Sequence, residues 1–79
     1  MPQPLDMVRA LLSEEILVKL RNNRELRGTL HGYDEHCNMV LGDVEETVFS
    51  FDDNNQIQKQ TARSDMLLVR GDTVILIRQ

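Results

Sequence analysis

The sequence predicts a small, mainly β domain in which a short helix precedes five short, strongly bent strands that form an open barrel. Two observations carry that prediction and a third bounds it. After Ser13 the apolar residues recur with period two instead of the 3.6 of a helix. Gly28 and Gly32 fall on one face of the second strand, which is costly unless the backbone bends sharply or another chain comes close. Small barrels need such bends. The chain has 79 residues, enough for one domain over 1–79 and no more.

The elements follow in order. Pro4 suits the first turn of a helix, where its missing N–H would have no partner anyway. Leu5, Val8, Leu11 and Leu12 recur at helical spacing, so a helix is expected over 5–12, ending near Ser13. A helix of about two turns needs tertiary packing to persist. Ile16, Val18 and Leu20 then point one way and Leu17, Lys19 and Arg21 the other, the mark of a half-buried strand. Asn22-Asn23 signals a turn, because asparagine tolerates left-handed backbone angles. Leu26, Gly28, Leu30 and Gly32 share a face of the second strand. Asp34-Glu35-His36-Cys37 breaks the apolar pattern as a tight loop. Strand character resumes over 39–51, and the apolar register slips between Leu41 and Val44, which implies a bulge near Gly42-Asp43. The stretch 52–64 is polar, with Ile57 its single large apolar residue, and is expected to be a solvated loop. Two strands end the chain. Met66-Leu67-Leu68-Val69 and Val74-Ile75-Leu76-Ile77 are each apolar on both faces and are joined by Arg70-Gly71-Asp72-Thr73.

Composition removes several function classes. Nine Lys and Arg stand against 13 Asp and Glu, a net charge of −4, with 41% apolar and 28% charged residues. That balance favours folding over disorder. No apolar run exceeds four residues, and a bilayer-spanning helix needs about 20, so no membrane is expected as a partner. Met1-Pro2-Gln3-Pro4 lacks the basic opening of a signal peptide. A single cysteine excludes an internal disulfide. The expected compartment is intracellular and reducing.

Small domains usually need a staple: disulfides, a metal or a partner chain. His31, His36 and Cys37 do not form a zinc spacing, so no metal and no cofactor is expected. A partner chain remains. The two final strands would present greasy side chains and open backbone groups at the rim of the barrel, and soluble proteins protect such edges. Pairing one edge with the other edge of a second subunit does so, and a head-to-tail contact of that kind generates a ring if the rotation closes.

Two loops gripped by strands carry the candidate chemistry: Asp34-Glu35-His36-Cys37-Asn38 and Arg70-Gly71-Asp72. Gly28-Thr29-Leu30, then Tyr33-Asp34-Glu35-His36-Cys37-Asn38-Met39-Val40-Leu41 with Asp43 and Glu46, resembles the first motif of the Sm and Sm-like (LSm) family. Leu67-Leu68-Val69-Arg70-Gly71-Asp72-Thr73-Val74 resembles the second. The first falls within 15–51 and the second within 65–78, with 52–64 as the variable stretch between them. The Pro4-Leu5-Asp6 start, the His36-Cys37-Asn38 triplet and the Arg-Gly-Asp loop resemble one subunit type, the third, of eukaryotic heteromeric rings.

The resemblance implies an Sm fold. That is a short N-terminal helix followed by a strongly bent five-stranded antiparallel open barrel, an SH3-like or OB-like small barrel that forms rings. It implies pairing of the fourth and fifth strands between subunits, through Met66, Leu67, Leu68, Val69, Val74, Ile75, Leu76 and Ile77. The partners implied are other LSm subunits in a hetero-heptameric ring, with a homo-oligomeric ring possible for the chain alone. Uridine-rich single-stranded RNA would occupy the pore, one nucleotide per subunit. His36 would stack on a base, Asn38 would bond its edge, and Arg70 would cover the other face, with Gly71 allowing close approach. Asp34 would hold the first loop in shape. Many members of the family carry Asn where Asp72 sits, and a carboxylate near a phosphate chain is unhelpful, so Asp72 is expected to support its loop. No catalytic residue and no small-molecule substrate is implied. Two settings are: a nuclear ring on the U-six spliceosomal RNA, for splicing, and a cytoplasmic ring on message ends, for decapping and decay.

These roles have a physical basis of their own. Single-stranded bases offer flat π-faces, and stacking on an aromatic side chain is worth about 1–3 kcal/mol per base. An asparagine amide carries a donor and an acceptor side by side, which match the ring N–H and carbonyl of uracil. A single pocket of this kind binds weakly, and linked pockets in a ring raise the effective concentration of each next contact. Three alternatives remain open from the residues alone. The chain could be a spacer that completes a ring without touching a base. It could be a monomeric barrel that binds peptides at an open edge. Arg70 could pair with Asp72 or Asp34 and do nothing else.

Overall fold

The computed structural model describes residues 4–79; the Met1-Pro2-Gln3 opening lies outside them. Helix α1 spans Pro4–Arg9, and strands β1 (Glu15–Leu20), β2 (Arg24–Tyr33), β3 (Met39–Phe51), β4 (Ile57–Val69) and β5 (Val74–Arg78) follow. They form one antiparallel sheet in the order β4-β3-β2-β1-β5, so β4 and β5 are its two margins.

The helix is shorter than the 5–12 expected. The Ser13 N–H bonds the Leu30 carbonyl (2.8 Å) and the Glu14 carbonyl receives the Leu30 N–H (3.0 Å). Ser13 takes a left-handed φ of 66°. The sheet thus captures the chain before another helical turn can form, and 10–13 become a series of turns. Val8 is buried and Leu11 packs beside it against the core, while the Arg9 Nε donates to the Tyr33 hydroxyl at 3.1 Å. These contacts seat α1 over the barrel.

The core is the inward side of β1 to β4: Ile16, Val18, Leu26, Leu30, Met39, Leu41, Val44 and Val69. Leu17 was expected to face out with Lys19, yet it is buried too. Asn22 and Asn23 both have left-handed φ values, 66° and 59°, as the turn reading required. Between the pairs Arg27↔Glu45 and Thr29↔Gly42, β3 contains one residue more than β2, and Asp43 has φ 53°. This is the bulge expected near Gly42-Asp43. The bend it creates presses β3 onto β2, so that a Cβ on Gly28 would lie 2.9 Å from the Gly42 carbonyl oxygen. At Gly32 a Cβ would meet nothing within 4 Å, but the register slips between Leu30 and Gly32; close approach accounts for Gly28 and a local irregularity of the strand for Gly32.

The expectation of a loop over 52–64 is overturned for most of its length. Only 52–56 turn: the Asp52 Oδ1 accepts the backbone N–H groups of Asn54 (2.9 Å) and Gln56 (2.8 Å). From Ile57 the chain is β4, paired with β3 from Phe51↔Ile57 to Met39↔Val69. The hairpin lies beyond the core, so both faces of this part of β4 are exposed. A strand exposed on both faces has no apolar alternation to betray it.

The two final strands are also not alike on both faces. Val69 is a core residue, and Leu67, Val74 and Ile77 pack against the core. Met66, Leu68, Ile75 and Leu76 are exposed, Leu68 by 71%. Of the eight apolar side chains expected at a subunit contact, these four are the ones free to make it.

Candidate RNA-binding site

The 34–38 loop closes on its own backbone and on one carboxylate. The Asp34 N–H donates to the Asn38 carbonyl (3.0 Å) and the Cys37 N–H to the Asp34 carbonyl (3.1 Å). Cys37 supplies the left-handed step, φ 62°. The Asp34 Oδ1 accepts the backbone N–H groups of His36 (2.8 Å) and Asn38 (3.0 Å), and its Oδ2 accepts the Asn38 side-chain amide (2.8 Å). One carboxylate thus ties together three groups of this loop.

The second loop meets the first through Asn38. The Gly71 N–H donates to the Asn38 Oδ1 at 2.7 Å. Asparagine oxygen and nitrogen are assigned from their partners, and here both partners agree: a carboxylate needs a donor and an N–H needs an acceptor. One amide hydrogen and one lone pair remain after these two bonds. Gly71 comes so close that a Cβ there would collide with the His36 carbonyl oxygen. Its φ is not left-handed, so the requirement for glycine is one of space. That closeness joins the two loops.

An open cleft of about 660 Å³ results, lined among others by Asp34, His36, Asn38, Arg70, Gly71 and Asp72. The His36 and Arg70 side chains stand at its mouth, 76% and 78% exposed. Arg70 Nη2 lies 3.2 Å from the Asp72 Oδ2, both well exposed. Such a pair is worth little in water, so a ligand can displace it. Asp72 thus partners Arg70 across the turn. Thr73, which sequence reasoning missed, braces the same turn: its hydroxyl donates to the Arg70 carbonyl at 2.7 Å. A threonine three residues after the turn begins is the available signal.

The Asp34 carboxyl is held below the usual aspartate range, chiefly by the Asn38 side-chain amide; desolvation opposes this, and the backbone N–H groups of His36 and Asn38 and the nearby His36 imidazole add to the lowering. The ionised form is the bonded one, so the loop is fully supported above the ordinary aspartate pKa of about 3.9. Support is lost as pH falls through the lowered folded value. In an NMR titration the Asn38 side-chain amide is expected to shift with a midpoint below about 3.9; a midpoint above it would contradict the clamp. Among the described residues no cluster of His, Cys, Asp and Glu could hold a metal ion.

A family profile described as the LSM domain matches residues 6–79. The LSM complex subunit lsm3 of Schizosaccharomyces pombe is 54% identical over 95% of this chain and 86% of its own length. A Dictyostelium discoideum relative named as a probable U6 snRNA-associated Sm-like protein LSm3 is 49% identical over 95% and 82%. Both names carry the subunit number that the sequence motifs pointed to. The solved Pyrococcus abyssii Sm protein in complex with a uridine heptamer superposes with a TM-score of 0.75 and 36% identity, covering 96% of each chain. A heptameric archaeal Sm protein superposes with a TM-score of 0.69 and 31% identity over 90% of this chain and 91% of the other.

Proposed function

Because the chain belongs to the LSM-domain family, we propose that its cleft takes one base of a uridine-rich single strand at the inner rim of a seven-membered ring. The chain is a non-catalytic, RNA-binding subunit of such a ring, with other family subunits as its neighbours. The observation that carries the site is the Asn38 amide, clamped by Asp34 on one side and Gly71 on the other. The clamp fixes the free amide hydrogen beside the free lone pair, the order that uracil matches. Cytosine would require the amide to flip, which breaks both bonds. His36 and Arg70 flank the amide as planar groups for the two faces of the base, and each is exposed enough to swing onto it.

Two cellular settings are proposed. The U6-associated relative supports a nuclear ring acting in pre-mRNA splicing. The same subunit type is proposed to serve a cytoplasmic ring that binds message ends and promotes decapping and decay. Binding rests on stacking and amide contacts in a chain of net charge −4, so the dependence on salt is expected to be shallow.

The test replaces both planar groups. Rings carrying His36→Ala with Arg70→Ala are expected to bind oligouridine about tenfold more weakly or worse, since each stacked base contributes about 1–3 kcal/mol. Fluorescence anisotropy on the assembled ring reads the change. Unaltered affinity would make this chain a spacer.

A further inference from the structure

The two margins of the sheet differ in length. β4 has thirteen residues and β5 has five. A neighbour's β5 of that length covers at most five residues of β4. Its place is set by the exposed apolar side chains, Met66 and Leu68 on one margin and Ile75 and Leu76 on the other. The remainder of β4, 57–64, is then bonded to β3 on one side and open on the other.

That open stretch lacks most of the devices that normally protect an edge. Its register against β3 runs from Val44↔Ser64 to Phe51↔Ile57 without a slip, and it contains no proline. Charge is the remaining device, and it is sorted by face. Side chains alternate along a strand, so Lys59, Thr61 and Arg63 share one face while Gln58, Gln60 and Ala62 share the other. Lys59 sits 5.7 Å from the centre of the Phe49 ring and, among the described residues, forms no ion pair. Arg63 holds the Glu45 carboxylate of β3 at 3.2 Å. A strand laid along the edge would thus meet Lys59 and, four residues on, the exposed Arg63–Glu45 pair on one face, and only uncharged β4 side chains on the other. An exposed pair is weak in water, so an incoming carboxylate can compete for Arg63.

We propose that 57–64 is a docking edge for an extended protein segment with carboxylates at positions i and i+4, which adds to the sheet beyond β4. The proposal rests on the ring reading, which sets where the neighbouring subunit stops. The backbone ladder supplies the attraction. The carboxylates opposite Lys59 and Arg63 fix the register, because opposite charges across a strand pair attract and like charges repel. Continuity with the subunit contact means that the same margin serves both, one part greasy and one part cationic.

The test uses the assembled protein and the synthetic peptide Thr-Glu-Thr-Val-Thr-Glu-Thr. Under saturating peptide, the fast-exchanging backbone amides within 57–64 are expected to slow about tenfold or more. The same peptide with both Glu replaced by Lys should bind about tenfold more weakly. Methylation of its backbone nitrogens should abolish binding. Lys59→Glu with Arg63→Glu should reverse the preference between the two peptides, a result that misfolding cannot produce. Equal binding of both peptides, or slowing confined to other residues, would overturn the proposal. So would a reversed variant that loses oligouridine affinity while its peptide preference stays the same, which would make this edge an RNA contact. Native mass spectrometry of the same sample reports the assembly. A protomer-sized species would break the ring reading, while the exchange rates at 57–64 would still decide the edge.

Discussion

Gly71→Ala is expected to melt well below the parent protein and to lose oligouridine binding. The added methyl would collide with the His36 carbonyl oxygen and lie 2.8 Å from the Cys37 carbonyl carbon. These are backbone atoms, so no side chain can swing aside. Either the turn before β5 or the 34–38 loop must move, and the 2.7 Å bond between the Gly71 N–H and Asn38 goes with it. Forced overpacking costs about 1–3 kcal/mol and a lost hydrogen bond about 1 kcal/mol. In a domain of this size each kcal/mol lowers Tm by about 4–8 °C. Calorimetry should therefore show a fall of roughly 10 °C or more. Gly32→Ala is the matched control, since its methyl would meet nothing within 4 Å. Equal melting of the Gly71 variant and the parent would mean that the two loops do not depend on this approach.

Asn38→Asp should be the most damaging change to recognition. It removes the amide hydrogen bonded to Asp34 and places a second carboxylate against the first. The Gly71 N–H keeps an acceptor, so the defect lies on one side of the clamp. A bidentate contact to a base edge is worth about 1–3 kcal/mol, which predicts a loss of roughly ten- to a hundredfold. The direction of the pH response is diagnostic. Two adjacent carboxylates share a proton more readily than one aspartate takes it up alone, so the variant should recover part of its affinity as the medium is acidified, the single O–H restoring the bond to Asp34 but not the second donor. The parent protein, whose Asp34 is held ionised, should show no such gain. Anisotropy measured from neutral pH downward compares the two, and a flat profile in the variant would contradict the clamp.

How much of this was legible in the sequence depends on one-sided burial. Ile16 and Val18 in β1 announced themselves because one face meets the core, and the Gly42-Asp43 bulge did so because it interrupts that alternation. The 57–64 part of β4 lies on no core, so its strand character comes wholly from pairing with β3 and leaves no periodic trace. The same reason hid the division among the final apolar residues. Met66 and Val69 look equivalent in sequence, yet one is 64% exposed and the other 3%. In the site, the loop residues were visible as motifs, whereas the bond from Gly71 to Asn38 joins positions 33 apart. No local pattern encodes a contact of that span. The Thr73 hydroxyl, which braces the turn through the Arg70 carbonyl, is uncharged and so drew no notice beside Arg70 and Asp72.

The unequal margins also give the molecule a direction. Where the long lip of one protomer receives the short lip of the next, every joint between copies or kin runs the same way around the circumference. Each protomer then has a distinguishable left and right companion. A fixed order of non-identical members can be specified joint by joint, with nothing at the centre needed to arrange them.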